Sequence, residues 1–198
     1  MTDARQSTAG SERDGNADPP AASQVGRSAT TGELVVVCGL PGTGKTTVAE
    51  RIAERLDARI LRTDLVRKEL FPEPDYTEAE TAAVYGELLC RARETVRDHR
   101  SAVLDATFAN RRFRDDARKL ANRVANRFEL VRVECDESVV KRRIRRRDGV
   151  SDADFDVYLH FKERFEGVDG EHLVVDNSGS EAATFAQVDR AFGTPEET

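Results

Sequence analysis

The chain has 198 residues, of which 38% are hydrophobic and 34% charged, and it carries a formal net charge of −6. That length accommodates one α/β domain of ordinary size and no second catalytic domain, and the acidic balance argues against wholesale non-specific binding to nucleic acid. Cys38, Cys90 and Cys135 are odd in number and far apart, and His99, His160 and His172 show no ligand spacing, so the pattern fits reduced, buried thiols and neither a disulfide framework nor a zinc site.

Residues 1–32 are rich in Ser, Thr, Ala, Gly and Asp, include Pro19-Pro20, and show no apolar periodicity, so they are expected to form a disordered tail. The ordered domain is expected over residues 33–198. The tail has no apolar targeting core, and nothing downstream approaches the roughly 18 consecutive apolar residues of a membrane-crossing helix. A soluble, cytoplasmic protein is expected, with no membrane association and no obligate protein partner.

The apolar run Leu34–Cys38 reads as a strand, and Gly39-Leu40-Pro41-Gly42-Thr43-Gly44-Lys45-Thr46 follows it as G-x-x-x-x-G-K-T, opening an amphipathic helix that runs to Leu56. Glycines let the backbone curl until its N–H groups face inward, so that an amide nest and a helix N-terminus hold an anion together. A nucleoside triphosphate is expected on Gly39, Leu40, Pro41, Gly42, Thr43, Gly44, Lys45, Thr46 and Thr47. Lys45 supplies the charge for the β- and γ-phosphates, and the Thr46 hydroxyl is a hard oxygen ligand suited to Mg²⁺.

Further strands are expected over Arg59–Arg62, Ala102–Asp105, Phe128–Cys135 and His172–Val175, alternating with helical patterns. Alternation of this kind implies right-handed crossovers and a parallel sheet with helices on both faces. Thr77-Glu78-Ala79-Glu80 is a capping box before a helix with an apolar stripe at Val84, Leu88, Leu89, Ala92 and Val96; Ser151-Asp152-Ala153-Asp154 repeats the device, and Ser180 is placed to cap the last helix.

In an open parallel sheet the ligand sits at the carboxyl ends of the strands. After the second strand comes Asp64, which reads either as a helix N-cap or as the base that takes a proton from an attacking hydroxyl; Arg67 lies on the same helix face to hold an acceptor. After the third comes Asp105, at the end of a Val103-Leu104-Asp105 run of Walker-B form, a metal ligand beside Thr46, with Thr107 expected on the acceptor side. Lys141 to Arg147 is a basic run in which Arg142 and Arg146, and likewise Arg143 and Arg147, recur one turn apart. It reads as a solvated face or as a mobile arginine lid, hinged at Asp148-Gly149-Val150, that clamps a transferring phosphoryl group. Asp176 to Ser180 reads as a turn or as a cup for the base.

On these residues the chain resembles, over residues 33–180, the P-loop kinases grouped around polynucleotide 5′-kinases, zeta-type toxins and small predicted ATP-dependent kinases. Gly39–Thr46 is similar to their nucleotide loop, Asp64 with Arg67 to the Asp-x-x-Arg of the polynucleotide kinases, Asp105-Ala106-Thr107-Phe108 and Ser151-Asp152-Ala153 to signatures of the predicted kinases, and Arg142 with Arg146 to a lid Arg-x-x-x-Arg. The resemblance implies a three-layer P-loop NTPase fold with strand order 2-3-1-4-5 and an adenylate-kinase-like lid. It implies ATP and Mg²⁺ as cofactors and phosphoryl transfer to a hydroxyl, with Lys45, Asp64, Arg142 and Arg146 catalytic. Polynucleotide kinases tend to carry Asp-x-Asn where this chain has Asp105-Ala106-Thr107, which leaves the acceptor open. The acidic balance favours a small metabolite or nucleoside as the expected acceptor, with a 5′-hydroxyl nucleic-acid end or a nucleotide sugar as alternative acceptors and a non-kinase ATPase or switch acting on a partner protein as the alternative function.

Overall fold

A computed structural model describes residues 32–147 and 152–193, in the order β1 (Leu34–Cys38), α1 (Lys45–Leu56), β2 (Arg59–Arg62), α2 (Thr63–Leu70), α3 (Glu78–Arg97), β3 (Ala102–Asp105), α4 (Arg111–Val124), β4 (Phe128–Glu134), α5 (Glu137–Arg147), α6 (Asp152–Arg164), β5 (Leu173–Asp176) and α7 (Glu181–Phe192). The expected tail lies outside the described residues except for Gly32, whose carbonyl accepts the N–H of Asn126 (3.2 Å). The expected hinge Asp148–Val150 and the Ser151 cap also lie outside them.

All five strands are parallel, in the order β2-β3-β1-β4-β5. Every residue of β1 is fully buried, as a central strand covered on both faces must be, and its side chains alternate between two cores. Leu34, Val36 and Cys38 pack with Val84, Leu88 and Ala92 of α3 and Ala117 of α4. Val35 and Val37 pack with Val48 and Ile52 of α1 and Val188 of α7. Burial pushes the Cys38 thiol up to about 11. Cys90 and Cys135 are only half-buried, a correction to the expectation of three buried thiols, and all three cysteines are unbridged.

Local punctuation behaves as the residue types dictate. Thr77 caps α3 by accepting the Glu80 N–H (3.2 Å), while the Glu80 carboxylate turns to the Asp75 N–H (3.2 Å), so the box closes one residue pair further out. Ser180 caps α7 through the Ala183 N–H (3.3 Å). The last strand runs one residue later than expected: Asp176 pairs in register with Glu134, whereas His172 is held in the preceding turn by a ring contact to the Gly170 carbonyl (2.9 Å). No helix among the described residues is long and apolar enough to cross a membrane.

The order creates a switch point at β1, because the chain moves to one side of it to form β2 and β3 and to the other to form β4 and β5. Crossover helices diverge there, leaving a crevice at the strand's carboxyl end. The glycine loop fills that position.

Candidate active site

Gly44 is the N-cap residue of α1 and has φ 89°, a left-handed backbone suited to glycine, and α1 has no side-chain cap, so its first N–H groups point into the loop. A Cβ on Gly44 would fall 2.1 Å from Asn177 Nδ2, and one on Gly42 (φ 78°) would fall 2.9 Å from Val140 Cγ1 of α5. Both glycines are therefore required by close neighbours as well as by dihedral angle. Across the loop mouth, Lys45 Nζ donates to the Leu40 carbonyl (2.9 Å), which also accepts the Thr43 hydroxyl (2.8 Å). Thr47 stands in the first turn of α1, and Pro41 in the turn before Gly42. Thr107 meets the loop by its backbone, accepting the Gly39 N–H (3.2 Å).

Pairing of β1, β2 and β3 sets Val37, Asp105 and Arg62 level at the strand ends. The Thr46 hydroxyl donates to Asp105 Oδ2 (2.7 Å), and the carboxylate is buried at 6% exposure. Arg62 Nε stands 3.8 Å from the same oxygen, and its guanidinium grips Asp64 with two bonds, Nε to Oδ1 (3.1 Å) and Nη2 to Oδ2 (2.9 Å). A continuous polar chain thus runs Thr46, Asp105, Arg62, Asp64. The capping alternative for Asp64 is removed: the N-cap position of α2 is Arg62, no side chain caps it, and Asp64 is the second helical residue with a half-exposed carboxylate. Arg62 ends the expected second strand, and its place there is the one sequence signal for a site role that the sequence motifs do not assign to it.

Arg67 is committed to the next helix. It donates to Thr81 Oγ1 (3.3 Å), lies 3.6 Å from Glu80 and covers the Tyr76 ring (5.0 Å). Of the basic run, the residue that turns inward is Arg143, the member of the alternate pair: Nη2 donates to the Asn177 carbonyl (2.9 Å) and Nη1 approaches the Thr43 carbonyl and Cys135 Sγ (both 3.4 Å). Arg142 and Arg146 stand exposed on α5, whose buried Val140 lies over the glycine loop.

Asn177, within the expected turn after β5, carries a structural role that sequence alone does not mark. Buried at 5% exposure, it donates from Nδ2 to the Thr43 carbonyl (2.8 Å) and accepts the Thr184 hydroxyl on Oδ1 (2.8 Å). Asn177→Ala removes both bonds, leaving the Thr43 carbonyl with the longer Arg143 contact (3.4 Å) and the Thr184 hydroxyl with the Ser180 carbonyl (3.3 Å), at a cost of about 1–3 kcal/mol. Thermal unfolding should therefore come several degrees lower, and calorimetry should find weaker nucleotide binding from a loosened loop; an unchanged melting temperature would leave this bond without structural weight. Beside the loop, a cleft of about 430 Å³ is bounded by Gly39, Leu40, Thr43, Cys135, Asp176 and Ser178 among others. Burial raises the Cys135 thiol there.

The segment after β3 is held from both sides. Phe108, fully buried at φ 47°, donates its N–H to the Tyr85 hydroxyl (2.9 Å), and burial pushes that phenol up to about 12. Buried Arg114 donates to the carbonyls of Phe108 (2.6 Å), Ala109 (3.1 Å), Glu166 (3.0 Å) and Gly167 (2.6 Å), tying the chain after α6 to the loop after Asp105. Among the described residues no group of three or more His, Cys, Asp or Glu is arranged to hold a metal by itself. The Thr46 hydroxyl and Asp105 carboxylate are nonetheless hard oxygens, bonded to each other at the loop's edge. That donor set fits a Mg²⁺ ion that completes its shell with phosphate oxygens and water.

A family profile described as an AAA domain matches residues 34–168. Uncharacterized proteins of Mycobacterium tuberculosis and Mycobacterium bovis are 31% identical over 79% of this chain and 34% of theirs, so the chain spans about a third of the length of the curated relatives it matches. Among solved structures, the fold is similar to the Mycobacterium tuberculosis APS kinase CysC in complex with AMPPNP and APS (TM-score 0.66, 18% identity, 83% of this chain and 99% of that one). It is also similar to a gluconokinase from Sinorhizobium meliloti (TM-score 0.60, 23% identity, 82% and 94%). The five-stranded parallel sheet in the order β2-β3-β1-β4-β5 is the P-loop NTPase fold, which these structures share.

Proposed function

The chain belongs to the AAA-domain family matched over residues 34–168, and on that premise we propose that it is an ATP- and Mg²⁺-dependent phosphotransferase that moves the γ-phosphoryl group to the hydroxyl of a small acceptor. The observation that supports this reading is the Thr46–Asp105–Arg62–Asp64 chain, which links a half-exposed carboxylate at the strand ends to the glycine loop. A switch module would call instead for a residue that positions water.

In the proposed reaction the loop amides and Lys45 hold the β- and γ-phosphates. The acceptor oxygen forms a bond to the γ-phosphorus while the bond to the β–γ bridging oxygen breaks, and that electron pair leaves on ADP. The hydroxyl proton passes to the Asp64 carboxylate, which Arg62 keeps aimed by its two hydrogen bonds. Thr46 and Asp105 would hold Mg²⁺, which would supply counter-charge for the phosphates. Arg142 and Arg146, on the helix over the loop, meet the equatorial oxygens as charge spreads in transfer.

That lid role predicts that Arg146→Ala, and to a smaller degree Arg142→Ala, lowers kcat with little change in ATP affinity, since the contact matures only during transfer. Equal losses in Kd and kcat would place these arginines on ground-state nucleotide. The reaction itself is tested by incubating the chain with γ-labelled ATP and panels of hydroxyl compounds and 5′-hydroxyl oligonucleotides. Label on a small alcohol is the expected result. Label on oligonucleotides alone would make the chain a polynucleotide kinase, and ATP hydrolysis with no labelled acceptor would overturn the kinase reading.

A further inference from the structure

A cleft of about 1180 Å³ opens between the start of α3, the start of α4 and α6. Segments that follow both strand-end carboxylates form parts of its wall. From Asp64 the chain follows α2 to Arg67, whose partners Tyr76 and Thr81 form part of the cleft wall; from Asp105 it runs through Phe108 to Ala109 and Asn110, which form another part.

Tyr76 is the distinctive residue of the wall. It is 71% exposed, against the habit of large aromatic side chains, and its φ of 54° is a left-handed backbone that a bulky residue adopts only under strain. Strain of that kind is retained at ligand clamps. The Arg67 guanidinium covers one ring face at 5.0 Å and is itself held by Thr81, so the ring is braced from behind while its other face stands open. Phe161 adds a second aromatic surface from α6, and Ala79 and Ala82 add apolar floor. The fixed charges cancel, with Arg112 and Arg164 against Glu78 and Asp156.

These features select among acceptors. A bare polyol presents donors and acceptors on every side, each of which needs a partner when buried, and an alanine and aromatic wall supplies few. A nucleic-acid strand needs a basic track, which cancelled charges do not form. A flat ring on a hydroxylated sugar suits both parts of the wall: the ring stacks, and the carboxylates of Glu78 and Asp156 accept from hydroxyls. We propose that this cleft binds a nucleoside-type alcohol as the phosphoryl acceptor, with Tyr76 as its stacking platform. The chemistry rests on the kinase reading above, and the shape and polarity rest on the cleft alone.

The test is calorimetric titration of the full chain already saturated with Mg·AMPPNP, so that a nucleoside probe cannot enter the nucleotide loop. Adenosine or uridine should bind and gluconate should give no heat. Tyr76→Phe should keep nucleoside affinity, and Tyr76→Ala should lose roughly tenfold or more, the size of one base–aromatic stack, with AMPPNP affinity and melting temperature unchanged. Heat from gluconate alone, no heat from either nucleoside, or an unaltered nucleoside Kd in Tyr76→Ala would overturn the assignment. Nucleoside binding without transfer of label from γ-labelled ATP would uphold the cleft's ligand class and defeat the kinase reading.

Discussion

Lys45→Ala should abolish phosphoryl transfer and weaken binding of Mg·ATP. The Lys45 ammonium spans the loop mouth to the Leu40 carbonyl, and in the proposed site it is the side-chain cation that the loop itself provides for the β- and γ-phosphates. Charge-assisted hydrogen bonds contribute about 1.5–3 kcal/mol each, which translates to roughly tenfold or more in Kd. The loop amides and the uncapped start of α1 remain in the variant, so binding weakens without vanishing. Transfer suffers more, because charge that develops on the phosphoryl group loses a fixed counter-charge; about 10²–10³-fold is the usual cost of one such donor. Calorimetry and single-turnover assays separate the two effects. Full ATP affinity in the variant would refute the site.

Asp64→Asn should separate chemistry from folding. Asparagine keeps the shape and one acceptor oxygen for Arg62 but cannot take a proton, so the rate should fall by about 10²–10⁴-fold if Asp64 is the base. Stability should hardly change, because the carboxylate is half-exposed and caps no helix. Nucleotide affinity should also persist, since the bonds of Thr46 and Lys45 do not involve Asp64. Unchanged turnover with a normal melting curve would reduce Asp64 to a counter-ion for Arg62.

Much of the fold was legible before any coordinates because its signals are local. Alternation of short apolar runs with 3.6-period helices announces a parallel sheet, and Thr77 and Ser180 mark helix starts through bonds that span three residues. The glycine loop is equally local: strand, turn and helix are contiguous, so Gly39 to Thr46 declares its own shape. The strand ends drew attention to Asp64 and Asp105 by a rule of architecture. Even there the capping and catalytic readings of Asp64 could not be parted, since both use the same residue in the same helical turn.

The sequence by itself therefore determined the elements, the glycine loop and the two strand-end carboxylates, all features whose causes lie within a few residues. Only the tertiary structure decided which side chains meet. Arg62 bridges Asp64 and Asp105 because β2 pairs with β3, and Asn177 reaches Thr43 across 134 residues because β1 and β5 both pair in parallel with β4 and so end on the same side of the sheet. Arg143, and not Arg142 or Arg146, turns under the loop because the residues flanking the buried stripe of α5 face different neighbours once Val140 is packed over Gly42. Arg67 is drawn to Thr81 and Tyr76 by the packing of α2 against α3, which converts an expected acceptor contact into the brace behind a cleft. Periodicity states which face of an element is buried. What that face is buried against follows from strand order and helix packing, and those belong to the whole chain.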